Sequence, residues 1–299
     1  MYTGAYRPRR MNKPRRRYFP VRLVLVIILL AALISYPFIE ASLAPSVDKT
    51  TLRIANLDPN LKGLKIVYVT DIHQGLWFSQ NRVDELVRQI SALKADIIIL
   101  GGDYATDTHS AIKFFENLPP LSANLGVYAI MGSSDRDGSD ALFSKLIGVI
   151  SGKGILPLVN NVASVKRGKA SVIIAGADDP VNGDADVAGV AAKVSEDDFV
   201  IFAGHSPDLL KDMRNARGSD GNNHWFDIAL FGSTHGGQVQ FFGRTPFSDL
   251  RPVAGSRYLR GWLEENRASV LVSRGVGTSF LPIRLFSTPQ IHFITLKSR

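Results

Sequence analysis

The sequence predicts an α/β layered domain, rich in β-structure toward its C-terminus, behind one apolar N-terminal segment. Apolar strand-like runs alternate with amphipathic helical stripes as far as residue 231, whereas the later strand-like runs have no helical stripe between them. Residues 64–70 (LKIVYVT) open the series as a β-branched strand. Val83, Leu86, Val87, Ile90 and Leu93 then fall on one helical face, with Ser79 placed to cap it. Ile97–Leu100 is a short continuous apolar run of the buried-strand kind. Residues 126–131 form another strand, and Leu142, Phe143, Leu146, Val149 and Ile150 a second helical stripe. Strands follow at 172–175, 199–203 and 227–231, with a helix near 207–215 that Pro207 opens and Ser206 caps. Late strands are expected at 239–242, 270–273 and 291–296.

Charge and hydropathy divide the chain. Arg7, Arg9, Arg10, Lys13, Arg15, Arg16, Arg17 and Arg22 precede the first acid, Glu40. The other 27 basic residues are matched by 27 acidic ones, so the net charge of +8 belongs to the tail. A duplex-binding domain carries its basic stripe on the folded body, so no nucleic-acid partner is expected. The tail runs into residues 23–39, 17 residues without a charge, at the short end of what spans a bilayer. A cleaved export signal is the alternative, and Arg16-Arg17 resembles a twin-arginine signal. The one small-residue cleavage pattern, Ser42-Leu43-Ala44, precedes Pro45, which favours an uncleaved anchor. The expected division is a basic cytoplasmic tail over 1–22, a single transmembrane anchor over 23–39, and one extracytoplasmic domain over 45–299.

Chemistry gathers where strands end, which is where open α/β sheets bind ligands. Asp71 and His73 follow the first strand, and their spacing of two in extended backbone points both the same way. Gly101-Gly102-Asp103 follows the second, Gly132-Ser133-Ser134-Asp135 the third, Gly204-His205 a later one, and Gly232-Ser233-Thr234-His235 the next. Each pattern alone is ordinary turn chemistry. Their recurrence at five strand ends, beside glycines that permit close backbone approach, points to a metal. The chain has no cysteine, so imidazole and carboxylate are the ligand types available. Asp71, His73, Asp103, His205 and His235 suit a divalent Mn, Fe or Zn ion.

The ordered motifs "DIH" (71–73), "GGDY" (101–104), "GSSD" (132–135), "GHSPD" (204–208) and "GSTHGGQ" (232–238) resemble those of the calcineurin-like metallophosphoesterases. "GADDP" (176–180), "SRYLRGW" (256–262) and "SRGVGTSFLPIR" (273–284) resemble their membrane-anchored bacterial branch. The resemblance covers roughly residues 63–297. It implies a four-layer sandwich of two mixed sheets flanked by helices. It also implies a pair of metals that clamp a phosphate and activate the attacking water. Asp71, His73 and His235 would hold the first metal, Asp103 would bridge, and His205 would hold the second. The chain departs from the family pattern at three places. Ser133 and Ser233 stand where the second metal's Asn and His would be, and Ser134 stands at the proton-donor position. One tight and one weak or absent second site are expected. Asp135, His109 and Asp107 are the candidates to replace the lost donor, whereas His224 precedes its strand and His292 lies within one. The resemblance implies hydrolysis of phosphoric esters or anhydrides on a phosphorylated small molecule or lipid-linked substrate. The alternative is a non-catalytic relative that binds metal and a phosphorylated ligand or partner.

Overall fold

The computed structural model describes residues 21–299 apart from Gly243; the basic tail and its paired arginines lie outside the described residues. Two compact units divide at Tyr36 and Pro37. Helix α1 (Val21–Ser42) runs 22 residues, past the expected span, and is long and apolar enough to cross a membrane. Its last turns, from Pro37 on, belong to the larger unit.

That unit is built from two six-stranded mixed sheets. The first runs β1 (Ser46–Ile54), β12 (Gln290–Ser298), β2 (Lys65–Val69), β3 (Ile97–Leu100), β4 (Val127–Ala129) and β5 (Leu156–Pro157). The second runs β10 (Gly261–Glu265), β11 (Ala268–Val272), β9 (Ile228–Phe231), β8 (Val200–Ala203), β7 (Ala170–Gly176) and β6 (Asn161–Arg167). The strands β2 to β5 are parallel, as are β7, β8, β9 and β11.

Alternation along each strand sorts its side chains between layers. Ile66, Tyr68, Ile97 and Ile99 face the second sheet, where Ile174, Ile201, Ile228 and Leu230 meet them. Val67, Val69, Ile98 and Leu100 face the other way, onto α2 (Gln80–Ala92), α3 (Thr108–Asn117) and α4 (Asp140–Gly152). On the far side Phe202, Ala229 and Phe231 pack against α5 (Val187–Ala191), α6 (Leu210–Asn215) and Trp225. The result is the helix–sheet–sheet–helix sandwich that the resemblance implied. Strands buried on both faces explain why β3, β8 and β9 read as unbroken apolar runs.

Two local expectations fail. Residues 239–242 form no strand, only isolated bridges from Val239 to Leu285 and from Phe241 to Arg244. Gln238 and Phe242 take left-handed backbone (φ 51° and 48°), which breaks a pleat. Ser79 occupies the N-cap of α2, but its hydroxyl makes no capping bond.

Candidate metal centre

The loops leaving β2, β3, β8 and β9 bring five ligand-type side chains into one buried cluster. The His73 and His235 Nε2 atoms lie 3.1 Å apart, with their rings stacked at 5.0 Å. Asp71 Oδ1 lies 3.7 Å from His235 Nε2 and 3.8 Å from His205 Nε2. Asp103 Oδ2 lies between two imidazoles, 3.5 Å from His73 Nε2 and 3.3 Å from His205 Nε2. Two three-residue sets result, each with ligand atoms within 4.8 Å of one another: Asp71, His73, His235, and Asp71, Asp103, His205.

Asp71 and His73 converge, but not through extended backbone as their spacing predicts. Both are left-handed (φ 55° and 45°), and so are Asp103 (54°), Ser233 (67°) and His235 (49°). Such residues are uncommon, cluster at functional sites and persist only where surrounding bonds over-determine them. Those bonds are present. Asp71 N donates to Gly102 O and His73 N to Asp103 O, both at 3.0 Å. Ser233 N donates to Asp71 Oδ1 at 3.0 Å. Gly102 has φ +90°, and a Cβ there would meet Gly132 N at 2.6 Å, so two site loops touch where only glycine fits.

Asp135 ties the loops together. Its carboxylate accepts from Asp103 N and Gly132 N at 2.8 Å and from Tyr104 N at 3.2 Å. Burial, then the Asp103 charge, push its carboxyl up to about 8, against three N–H donors that favour the ionised form. With both oxygens engaged by backbone, its role is to hold the ligand loops and not to pass a proton. Ser134 is also committed: its N–H and hydroxyl both donate to Asp103 Oδ1, at 2.9 and 2.7 Å. Asp107 caps α3 by accepting from Ser110 N, and His109 is exposed on that helix. Neither joins the cluster, because the cap fixes the helix start and turns the donors to other work. Ser133 and Ser233 are half-buried beside it. His292 is buried within β12, 3.6 Å from Asp48, and His224 approaches Asn266 O at 3.1 Å.

Arg284 carries an unforeseen role. It is fully buried and donates to the carbonyls of Gly277, Ser287 and Arg274, and its Nη2 lies 3.3 Å from His235 Nδ1. Both Nη2 hydrogens go to carbonyls, so it acts on His235 chiefly as a fixed positive charge. The motif at 273–284 contained it, but nothing in its spacing distinguished it from a surface arginine.

Burial, then His73 and Arg284, hold His235 well below the usual imidazole range, so it stays neutral. Burial works against charge on His205 too, but Asp103, Asp71 and Asp179 overcome it and push its pKa well up. Asp103 is likewise opposed by burial, yet His205, His73 and the Ser134 bond hold it well below the carboxylate range. A proton on His205 therefore matches part of the cluster's negative charge. The donor set fits a divalent cation: two carboxylates and three imidazoles in a buried cleft. His205 Nδ1 lies 2.9 Å from Gly101 O, so an N–H there fixes the tautomer that turns Nε2 inward, the usual support for a metal-ligating imidazole.

Facing mixed sheets with a carboxylate–imidazole cluster at their strand ends define a metallophosphoesterase. The chain belongs to the calcineurin-like phosphoesterase family, whose pattern matches residues 64–273. It is similar to the metallophosphoesterase YkuE of Bacillus subtilis (strain 168), 28% identical over 83% of this chain and 84% of that protein. YkoQ of the same organism is 24% identical over 90% of this chain and 98% of its own length. A Danio rerio "transmembrane protein with metallophosphoesterase domain" is 25% identical over 92% of this chain, which spans 62% of that protein.

Two outcomes are expected. Asp103→Ala and His235→Ala each abolish tight Mn2+ binding, measured by elemental analysis, and remove the rise in melting temperature that the ion gives wild type. Retention of full metal content by both variants would show the site to be misassigned. Because the metal-free protein carries a proton on His205, binding at its Nε2 releases that proton. Mn2+ affinity therefore rises with pH, by up to about tenfold per unit for as long as the metal-free protein holds that proton. Calorimetry in buffers of different ionisation enthalpy checks this, and binding without proton release would refute it.

Proposed function

We propose that this protein is a membrane-anchored, metal-dependent phosphohydrolase that cleaves a phosphoric ester or anhydride in a lipid-linked substrate. The convergence of Asp71, His73, Asp103, His205 and His235 from separate strand ends carries the reading. A divalent cation held there supplies Lewis-acid polarisation of a phosphoryl oxygen and makes water acidic enough to attack. The chain's own residues fix the geometry. Asp103 stands between the His73 and His205 imidazoles, Ser134 holds its other oxygen, and Asp135 holds the loops.

Ser134, at the family's donor position, and Asp135 beside it are both committed and so are not free to protonate a leaving group. This favours leaving groups that depart as stable anions. An anhydride, which departs as a phosphate, or an aryl ester meets that condition better than an alkyl ester.

The rim of the centre supports a lipid substrate. Leu76 (84% exposed) and Trp77 (56%) follow His73 by a few residues, and Phe280 (71%) lies on the loop that Arg284 closes. A cavity of about 250 Å³ beside them is lined by Phe38, Ala41, Trp77, Phe78 and Pro282. Glu40 ties this edge to the site: it accepts from Phe286 N and Ser287 N, and Ser287 Oγ donates to His235 O. Exposed aromatic and aliphatic side chains around a cleft mark an apolar partner, and Trp suits a membrane interface.

Purified protein in detergent with Mn2+ is expected to hydrolyse an aryl phosphodiester, and Asp103→Ala to lose that activity by at least about 100-fold. Trp77→Ser with Phe280→Ser is expected to leave the soluble substrate's rate within about twofold and to slow hydrolysis of vesicle-borne substrate at least about tenfold. Equal rates on vesicles would remove the lipid part of the reading. Absence of any Mn2+-dependent hydrolysis would favour the non-catalytic alternative. The tail charge supports a cytoplasmic N-terminus and an outward-facing domain as part of this reading. Protease added to spheroplasts should digest the domain, and protection until lysis would reverse this topology.

A further inference from the structure

The last turn of α1 carries a buried acid that neither an apolar helix nor a helix end calls for. Glu40 is 2% exposed and is the first acidic residue of the chain. A carboxylate in the last turn faces the negative end of the helix dipole, so its burial there needs compensation. Three donors from one distant loop supply it. Glu40 Oε2 accepts from Phe286 N at 3.0 Å, and Oε1 accepts from Ser287 N at 2.9 Å and from Thr288 Oγ1 at 3.1 Å. Phe286 is left-handed (φ 55°), so the carboxylate holds a turn that non-glycine residues seldom adopt.

From that loop, bonds of measured length run to two ligands of the first site. Ser287 Oγ donates to His235 O at 2.7 Å. A Cβ at Gly236 would meet Ser287 Oγ at 2.8 Å, so the two segments are in close contact. Arg284 N donates to Pro37 O at 2.9 Å, on the same helix end, while its Nη1 donates to Ser287 O at 2.7 Å and its Nε to Gly277 O at 2.9 Å. Gly277 N in turn donates to Asp71 O at 2.6 Å. The loop that follows His73 is clasped from the other side. Arg82 Nη2 donates to Ala41 O at 3.2 Å and Leu43 O at 3.3 Å, and its Nη1 to Trp77 O at 3.0 Å.

We propose that Glu40 is a positioning residue of the metal centre: it holds His235 and Asp71 through residues 284–288, so that tight metal binding depends on the end of the apolar helix. The domain on this account begins at Pro37 and not at Pro45. A chain cut after Ser42-Leu43-Ala44 would lose the carboxylate that orders its first site. The inference rests on the metal-dependent reading above and is independent of its lipid part.

The test is the Mn2+ affinity of the full chain in detergent, by calorimetry, with the electron paramagnetic resonance spectrum of the bound ion reporting its ligand geometry. Glu40→Gln keeps one acceptor oxygen and is expected to weaken binding about tenfold. Glu40→Ala removes both and is expected to weaken it about 100-fold, and each variant alters the spectrum. Ile90→Val removes a methyl from the core away from these bonds. It is expected to lower the melting temperature while keeping the spectrum, and the affinity within about twofold of wild type. Ser287→Ala is also expected to weaken binding about tenfold. Combined with Glu40→Gln it loses less than the product of the two single losses, because both act on His235 along one path. Wild-type affinity and spectrum in folded Glu40→Gln would overturn the proposal, even where Glu40→Ala does not fold. So would an equal loss in Ile90→Val, since Glu40 would then act through stability alone, or single losses that multiply in full. Failure of wild type to bind Mn2+ would remove the metal-dependent reading itself, and this inference with it.

Discussion

Two buried carboxylates, Asp71 and Asp103, stand side by side where the sheets end, and the surrounding structure answers their charge. Unmatched, a pair of ionised groups removed from water costs several kcal/mol each, even after relaxation. The three imidazoles divide the task. His205 takes a proton because Asp103 and Asp71 face it, whereas His235 stays neutral beside His73 and the fixed Arg284 cation. A proton on His205 is exchangeable, so the same negative charge that stores it can accept a cation in its place. That exchange makes the cluster a site and not merely a buried ion network.

Holding the ligands there requires strained backbone. Asp71, His73, Asp103, Ser233 and His235 all have left-handed φ, at roughly 1–3 kcal/mol each. The cost is met by groups that touch no ligand atom. Asp135 gathers three backbone N–H groups from two loops, and Arg284 spans three carbonyls behind His235. Both act from full burial, where hydrogen bonds are stronger than in water. Removing either would loosen several ligands together, so the effects of such changes will not add independently.

Much of this was legible in the sequence because it obeys short-range rules. Apolar runs of four or five residues gave β2, β3, β8 and β9, and the polar residues after them gave the cluster. The edge strands escaped notice for the converse reason. In β1 and β6 exposed and half-buried positions alternate, with Lys, Arg and Asn among them, so little apolar signal remains. The strand expected at 239–242 failed because left-handed Gln238 and Phe242 interrupt a pattern that hydrophobicity alone suggested. Asp135 looked like a spare acid because the sequence cannot show that three amides already point at it. Arg284 was invisible as a site residue, since it reaches His235 from a loop distant in sequence.

The serine at position 134 changes what the centre asks of its substrate. Its hydroxyl donates to Asp103 and so strengthens the ligand instead of supplying a proton. On the proposed reading, proton delivery would then fall to the substrate's own chemistry, which an anhydride satisfies without help. Such an enzyme would, on the same reading, be slow on demanding esters, and the apolar helix would compensate. A substrate confined to the same bilayer meets the cleft at a far higher effective concentration than one free in solution. Glu40 strengthens that argument, because its contacts run from the end of α1 through Ser287 to the His235 carbonyl. The end of α1 and His235 are thus parts of one hydrogen-bonded frame, and on the proposed reading a substrate held by its lipid at that edge would present its phosphate to a centre already fixed in place.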